Sequence, residues 1–451
     1  MPLYCNPLCA NFPYTFKHGT KTQAFTHTLL DSSSSSSSSS FLSFLHHKHP
    51  HNQSRHLSFV SKFDGIYSSP AMEDNHKMFG LVSSEQDECY SKELDAAVRA
   101  VHLACCLISN SHSFFNDNFQ SNHDKVAGWS VQAIVSWIFS QCFGNEDFPI
   151  VAKDDVENLT KTDASGLLES VVKTVNETLA ESPRFGIQET KSPLGASEIL
   201  DMITSHCNNS LKDSSGRFWT LSPIDQHAVS LSLIENGEVV LGVLGCPNYP
   251  MEKEWFSYPY SYLRTMSKLA PPTHESRNKG CVVYAKRGSG KAWKQPLLHA
   301  DDKFVWPNHA KQVCFSSIED PALATLCETI EKAHPISHSF TQGLAHTVGL
   351  RNQPLKVYSM AKYAAIAHGD AEAFMKFAKV GYKERIWDHA AGFIIMQEAG
   401  GMVTDAGGSP LNFSKGLDIE GIDRGIVASC GATLHEKIID AIDASWTSSC
   451  L

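Results

Sequence analysis

Apolar residues recur every three or four positions along several stretches of this chain, which is the pattern of helices with one buried face. The clearest runs are Lys92–Ile108 and Ser130–Phe143. The same spacing predicts further helices over Ala164–Leu179 and Ala196–His206. The polar stretch Ser109–Lys125 between the first two helices is predicted to be a loop.

Between residues 148 and 293 the pattern changes to short apolar or alternating runs bounded by turn residues, which is typical of antiparallel strands. Asn236-Gly237 is a hairpin signal, and Arg287–Ser289 predicts a second hairpin turn. The predicted strands are Phe148–Ala152, Arg217–Leu221, Ala228–Ile234, Val239–Leu244, Gly280–Ala285 and Gly290–Trp293. The sequence therefore predicts helices packed on a mainly antiparallel sheet, in an α+β domain over residues 88–295.

The last third of the chain alternates between the two patterns, which predicts an α/β domain over residues 296–451 and a cleft between the domains. The predicted helices are Ala322–Ala333 and Lys362–His368. The predicted strands are Val313–Ser316, Lys356–Tyr358, Ala373–Phe377 and Gly425–Ser429.

One further helix is predicted to begin at Asp388 and to stop at the glycine pair Gly400-Gly401. A carboxylate at the start of a helix is stabilised by free backbone N–H groups and by the helix dipole. Asp388 is therefore either a pre-positioned metal ligand or a structural N-cap. The small residues of Ala390–Gly392 predict that the first turn lies close against a neighbouring strand or group.

Residues 1–85 differ in composition from the rest of the chain. They contain no acidic residue before Asp31, and a serine homopolymer runs over Ser32–Ser40. A serine-rich, acid-poor leader is typical of a plastid or mitochondrial transit peptide, which is cleaved from the mature protein. The histidines over His46–His56 could bind metal, but they lie within this leader.

Charge and cysteine content exclude several classes of function. The formal net charge of −10 gives no footprint for binding nucleic acid or an anionic membrane. Thirteen cysteines without a C-x-x-C pair argue against a zinc ribbon or a thioredoxin-like site. They are predicted to be mostly buried free thiols, and the alternative is a regulatory disulfide.

Three predicted strands or short runs end in acidic or polar residues: Lys153–Asp155, Ser222–Asp225 and Trp387-Asp388. Side chains in the loops after strands meet at one edge of a sheet in α/β proteins. Carboxylate and carbonyl oxygens from several loops are the ligands that Mg²⁺ prefers. The sequence therefore indicates a hard-cation site at these three ends.

Several motifs from Lys92 to the C-terminus resemble the inositol-monophosphatase superfamily, and closely its 3′(2′),5′-bisphosphate nucleotidase branch. The motifs are Trp387–Gly392 with Glu398–Gly401 and Thr404-Asp405, Gly128–Ala133, Val239–Pro247 and Ser359–Tyr363. The resemblance implies a layered αβαβα sandwich. It also implies Mg²⁺-dependent hydrolysis of a phosphate monoester, typically of adenosine 3′,5′-bisphosphate to AMP and phosphate in nucleotide metabolism and sulfur assimilation.

The chain departs from the family pattern at the positions that hold metal. Gly128, Lys153 and Ser222 stand where the family has acidic residues, and a Gly-Thr loop after Asp225 is missing. Of the metal-binding set, the resemblance leaves Asp225, the carbonyl of Ile224 and Asp388, and it leaves no catalytic residue that can be assigned. One hypothesis is that the Lys153 ammonium replaces the metal, paired with Asp225 and Asp388.

The substrate-binding positions are better preserved. The resemblance assigns nucleotide contacts to His338, Ser359 and Lys362, and Lys376 stands where the family often has Arg. The alternative for Ser359 and Lys362 is a helix N-cap and a solvated helix face. Gly288–Gly290 is a hairpin turn or, less well supported by its short spacing, a phosphate cradle.

Two interpretations follow. In the first, the chain is a bisphosphate nucleotidase-like protein whose lost metal ligands abolish or strongly reduce turnover. In the alternative, it is an active Mg²⁺-dependent phosphomonoesterase that acts on adenosine 3′,5′-bisphosphate or inositol phosphates with an altered site.

Overall fold

Two β-sheets and three layers of helices alternate in the part of the chain that the structure describes. The computed structural model describes residues 89–111, 120–144, 148–153, 159, 165–208, 216–225, 228–250, 279–298, 302–304, 310–329, 335–357, 360–377 and 383–446. The proposed leader over residues 1–85 therefore lies outside the described residues. Described residues on both sides of the predicted boundary at 295 belong to one compact unit.

The helices of the described residues are α1 Ser91–Ser111, α2 Gln120–Phe143, α3 Ser165–Leu179, α4 Ala196–His206, α5 Pro335–Val348, α6 Ala361–Ala367, α7 Ala390–Glu398 and α8 Ala432–Trp446. The strands are β1 Ile150–Ala152, β2 Cys207–Asn208, β3 Arg217–Asp225, β4 Ala228–Glu235, β5 Glu238–Pro250, β6 Lys279–Lys286, β7 Ala292–Pro296, β8 Lys311–Gln312, β9 Leu326–Thr329, β10 Leu355–Val357, β11 Ala373–Phe377, β12 Met402–Asp405 and β13 Gly425–Ser429.

The first sheet has eight strands in the order β2-β1-β3-β4-β5-β6-β7-β8. Its strands from β3 onward are antiparallel, whereas β1 runs parallel to both β2 and β3. The second sheet has five strands in the order β10-β9-β11-β13-β12, with parallel pairs at one side and antiparallel pairs at the other. The mainly antiparallel first sheet is as the hairpin signals predict.

The layers stack in the order helix, sheet, helix, sheet, helix. Helix α1 packs on one face of the first sheet at β5, and α7 packs on the opposite face of the same strand. Helices α6 and α7 also contact the second sheet, and α5 and α8 cover its far side. This arrangement confirms the αβαβα sandwich that the resemblance implies.

Helix α2 lies in the core of the first helical layer, and residues 127–139 of it are all buried. Its segment Asn122–Phe143 is the one helical stretch among the described residues that is long and apolar enough to cross a membrane, but 83% of its most apolar window is buried within the protein. Phe139 contacts Trp219 of β3 with ring centroids 4.6 Å apart, and Phe148 beside β1 at 5.8 Å. Aromatic pairs of this kind hold the ends of β1 and β3 against the helix.

Three predictions of local structure are wrong. The predicted helix Ala322–Ala333 is contradicted over its described residues 322–329, because Leu326–Thr329 forms strand β9 between β10 and β11. Val313–Ser316 is not a strand, and α2 begins at Gln120, inside the predicted loop. In β9 the burial of side chains in the second sheet outweighs the helix propensity of the residues, since Leu326 and Cys327 are 2% and 1% exposed.

The cysteines that the structure describes are all free thiols. Six of them are buried: Cys105, Cys207, Cys246, Cys281, Cys327 and Cys430. Burial raises the pKa of the Cys207 thiol to about 12, which keeps it protonated and unreactive. The vicinal pair Cys105-Cys106 is also free, so the prediction of free thiols is confirmed for this part of the chain.

Candidate functional site

The ends of two neighbouring parallel strands bring together two of the substituted positions. Ala152 of β1 pairs with Leu221 of β3, and the next backbone N–H, that of Lys153, donates to the carbonyl of Leu221 over 3.0 Å. Lys153, directly after β1, therefore lies beside Ser222, which is inside β3 because that strand continues past the predicted end at Leu221 to Asp225. Lys153 is exposed, whereas Ser222 is fully buried, and among the described residues its Oγ has no hydrogen-bond partner.

Strands β3 and β4 join through a two-residue connection where the resemblance places a longer loop. Asp225 pairs with Ala228, and the two residues between them lie outside the described residues. The register shifts between Ser222 and Asp225, next to Pro223, which cannot donate a ladder hydrogen bond and is found at bulges for that reason. Ile224 is half-buried, and the side chain of Asp225 is outside the described residues.

Asp388 lies at the end of a single 3-10 turn, Ile386–Asp388, that precedes α7. Its backbone N–H donates to the carbonyl of Arg385 over 3.2 Å, and its side chain is half-buried. The N-cap of α7 is His389 and makes no side-chain capping bond, so the alternative of Asp388 as the N-cap is wrong. The turn packs against β3 and β4, which brings Asp388 to the strand whose end carries Ile224 and Asp225.

Small residues at the start of α7 allow this close packing, as the sequence predicts. A Cβ added at Gly242 of β5 would lie 2.7 Å from the Cα of Ala391. A Cβ added at Gly392 would lie 2.2 Å from Cγ of Tyr363 in α6. Real carbon contacts are about 3.5–4.0 Å, so α7 can lie this near to β5 and α6 only because both positions are glycine.

A buried network of hydrogen bonds surrounds the Asp388 turn. The Glu384 side chain is 1% exposed, and its Oε2 accepts from Lys376 Nζ over 2.7 Å. The same oxygen lies 2.9 Å from Nε2 of His389, which donates because an ionised carboxylate can only accept. Nδ1 of His389 lies 2.7 Å from the hydroxyl of Tyr363.

Charge balance explains why Glu384 is ionised in this interior position. Burial alone would raise the pKa of Glu384, but hydrogen bonds and attraction from His389 and Lys376 outweigh it and lower the pKa to about 2. Burial, followed by the charges of Glu384 and Asp388, raises the pKa of Tyr363 well above its usual value. The hydroxyl of Tyr363 is therefore protonated at neutral pH.

The predicted nucleotide contacts fall in different environments. Lys376 lies on β11 with its ammonium bonded to Glu384 and its side chain 28% exposed. Lys362 is buried at 5% exposure, with Nζ 5.0 Å from the ring centre of Phe374, so the alternative of a solvated helix face is wrong. The side chain of His338 in α5 and the whole of Ser359 lie outside the described residues, and their roles stay predictions.

Gly128 and the glycine turn have structural surroundings. Gly128 is buried within α2, where the family pattern would put a carboxylate. In the second hairpin turn, the N–H groups of Gly288 and Gly290 donate to the carboxylate of Glu398 over 2.9 and 2.7 Å. The turn therefore binds an internal carboxylate, which confirms the hairpin interpretation over the phosphate cradle.

The residues that the sequence missed are Glu384, His389 and Tyr363. His389 lies within the Trp387–Gly392 motif, and Glu384 lies shortly before it. The hydrogen bonds that join α6, β11 and the turn through these side chains leave no periodic pattern in the sequence. The sequence contains one signal for Glu384, which is the central residue of the charged run Lys383–Arg385. If the following pair, Ile386-Trp387, packs into the core, the charge of Glu384 has to be buried as well.

No group of three or more His, Cys, Asp or Glu side chains is arranged to hold a metal among the residues that the structure describes. Lys153 and Ser222 occupy neighbouring backbone positions on β1 and β3, and neither side chain is an anionic oxygen ligand. Asp154 and Asp155 lie outside this described set.

Five alternating layers, with a polar site at strand ends of the first sheet, form the architecture that the resemblance implies. The chain belongs to the inositol monophosphatase family, whose model matches residues 124–447. Members of this family are generally metal-dependent.

Similar proteins match this chain over most of its length. A relative from Arabidopsis thaliana named 3′,5′-bisphosphate nucleotidase AHL is 50% identical over 80% of this chain and 98% of its own length. A probable 3′(2′),5′-bisphosphate nucleotidase 4 from the same plant is 36% identical over 79% of this chain and 95% of its own length. The solved structure of CysQ from Bacteroides thetaiotaomicron is 15% identical, with a TM-score of 0.45, over 76% of this chain and 99% of its own.

Proposed function

We propose that this protein is of the 3′(2′),5′-bisphosphate nucleotidase type and binds adenosine 3′,5′-bisphosphate, with its hydrolysis to AMP and phosphate abolished or strongly reduced. The observation that carries the proposal is the adjacency of Lys153, directly after β1, and Ser222 in the neighbouring strand β3. The family resemblance assigns metal-binding carboxylates to both positions. Support for the substrate class comes from the names of the relatives.

The charge of residue 153 affects the affinity for the divalent cation on which turnover would depend. A unit charge about 6 Å from a divalent cation contributes about 2 kcal/mol at a dielectric constant of about 60, so exchanging a carboxylate for an ammonium changes the energy by about 4 kcal/mol. That corresponds to a loss of several hundred-fold in metal affinity. Lys153 is exposed, and this high dielectric constant already allows for the screening by solvent.

The test restores the two carboxylates together. We expect the variant Lys153→Glu/Ser222→Asp to bind Mg²⁺ at least 100-fold more tightly than wild type in calorimetry. Because the new carboxylate at position 222 would be buried beside a second carboxylate, Mg²⁺ should also raise the melting temperature of this variant and not that of wild type. The matched control is Lys191→Glu/Ser192→Asp, which makes the same charge change at exposed positions before α4.

Activity and binding are then measured separately. Phosphate release from adenosine 3′,5′-bisphosphate with Mg²⁺ is compared between wild type and an intact relative, and calorimetry gives the nucleotide affinity. Turnover by wild type within tenfold of the relative would refute the inactive proposal. Failure of wild type to bind the bisphosphate would refute the binding proposal.

The alternative is an active phosphomonoesterase with an altered site. The observation that favours it is the intact buried network of Glu384, His389 and Lys376 around the Asp388 turn. A protein that had lost all selection on this site could replace such a network with apolar residues at little cost in stability. The same phosphate-release assay separates the two functions.

A further inference from the structure

Glu384 bonds to two side chains that belong to different parts of the site. Its Oε2 accepts from Lys376 on β11 over 2.7 Å and from His389 over 2.9 Å. His389 follows Asp388 directly in the chain, and its other ring nitrogen lies 2.7 Å from the Tyr363 hydroxyl on α6. One carboxylate therefore joins β11, the Asp388 turn and, through His389, helix α6.

This network is fixed in place by its own burial. Glu384 is 2% exposed and His389 4%. The backbone of Glu384 is also held, since its carbonyl accepts from the N–H of Ile419 over 2.8 Å. A buried charge that loses its partner is strongly unfavourable, so Lys376 and His389 cannot move away from Glu384 independently of each other.

Among the described residues, the second oxygen of Glu384 has no hydrogen-bond partner although it is buried. A purely structural carboxylate is normally hydrogen-bonded through both oxygens, because each unmade bond leaves a desolvation cost. Glu384 therefore makes its side-chain contacts through Oε2 alone, and what distinguishes it from other buried carboxylates is that this one oxygen contacts both Lys376 and His389.

We propose that Glu384 is a positioning residue that holds the Lys376 ammonium and the Asp388 turn in a fixed relation, so that a nucleotide phosphate bound by Lys376 is presented to that turn. The proposal rests on the proposed function for the identity of the ligand. It differs from simple charge compensation in a way that can be measured. If Glu384 only neutralised Lys376, its removal would strengthen anion binding, whereas removal of a positioning group weakens it.

The test uses the full chain and the variant Glu384→Gln. The matched control is Glu328→Gln, because Glu328 is also a buried carboxylate that bonds a lysine, Lys356, through one oxygen, and its second oxygen has no partner among the described residues. Calorimetry without added metal measures the affinity for adenosine 3′,5′-bisphosphate and for AMP. Hydrogen exchange with mass spectrometry follows peptides over residues 385–393 and over helix α1.

We expect Glu384→Gln to weaken bisphosphate binding about tenfold and AMP binding by a smaller factor, with Glu328→Gln within twofold of wild type. The amides of residues 386–389 should exchange at least tenfold faster in Glu384→Gln, with helix α1 unchanged. The N–H of Asp388 and of His389 are the reporters, since they bond to Arg385 and Ile386 within the turn.

Several results would overturn the proposal. Tighter bisphosphate binding by Glu384→Gln would assign Glu384 to charge compensation. Exchange that rises equally across all peptides in both glutamine variants would assign it to general stability. If wild type binds neither nucleotide, the proposed function fails, and the exchange data alone decide whether Glu384 holds the turn.

Discussion

Replacing Gly392 by alanine is the sharpest test of how the start of α7 is packed. The added Cβ would lie 2.2 Å from both Cγ and Cδ2 of Tyr363, more than 1 Å inside a normal carbon contact. Tyr363 cannot move away easily. It is 1% exposed, its ring lies 4.9 Å from that of Phe374, and its hydroxyl is bonded to His389.

The magnitude follows from the balance of two opposing effects. Overpacking a well-filled core costs about 1–3 kcal/mol and occasionally more, and this overlap with a rigid ring lies at the upper end. The higher helix propensity of alanine returns up to about 1 kcal/mol. We therefore expect Gly392→Ala to lower the free energy of unfolding by about 2–3 kcal/mol.

The matched control is Gly343→Ala in helix α5, where an added Cβ would meet nothing within 4 Å. This substitution should raise the free energy of unfolding by about 0.5–1 kcal/mol. Urea unfolding followed by circular dichroism measures both variants, and with an m value of about 3 kcal/mol/M the midpoint of Gly392→Ala falls by about 0.7–1 M. A Gly392→Ala midpoint equal to or above that of wild type would contradict the packing described for α7 and α6.

Three further predictions concern polar side chains. Burial lowers the pKa of three histidines from 6.5 to about 4, so their neutral forms stabilise the fold above pH 6.5. The urea midpoint should therefore fall steadily as the pH is lowered from 6.5 towards 4. A midpoint independent of pH would contradict this. The three are His102, His368 and His435. Ser222→Ala should leave the free energy of unfolding unchanged or raise it by up to about 1 kcal/mol, since the hydroxyl is buried without a partner among the described residues. A free energy of unfolding lowered by more than about 1 kcal/mol, measured by urea denaturation, would show that the hydroxyl makes a hydrogen bond. Glu398→Ala should release the turn at Gly288–Gly290 and speed tryptic cleavage at Arg287 and Lys291. Glu398→Gln should have a smaller effect, because an amide oxygen still accepts hydrogen bonds. Equal cleavage rates for wild type and Glu398→Ala would show that the turn does not depend on this carboxylate.

The sequence predicted the elements of the first sheet well because their signals are local. Alternation and the turn at Asn236-Gly237 specify the β4–β5 hairpin without reference to the rest of the chain. Helix α5 was missed, since Pro335–Val348 is rich in serine, threonine and histidine and carries a weak apolar pattern. Strand β9 has the local residue pattern of a helix, and its partners in the sheet, β10 and β11, come later in the chain and override that preference.

For the site, the sequence identified the strand ends but not what holds them. The sequence groups Lys153 and Ser222 in one proposed site, but their side-by-side placement comes from the register of β1 and β3, which are not consecutive in the hairpin order that the sequence predicts. The pairing of Lys376 with Glu384 could not be inferred, because it depends on the side-chain directions of β11 and of an irregular segment. The predicted contacts of His338 and Ser359 and the localisation of the chain stay predictions.

The two-residue connection between β3 and β4 has a consequence for how the chain could regain a loop. The entropy cost of closing a loop rises by only about 0.6 kcal/mol for each doubling of its length, so growth from two to about ten residues costs roughly 1.4 kcal/mol. Asp225 and Ala228 are already paired and would still pair on either side of the insertion. The hairpin is therefore a permissive insertion point beside the Asp388 turn, at which a designed phosphate-binding loop could be added without rebuilding the sheet.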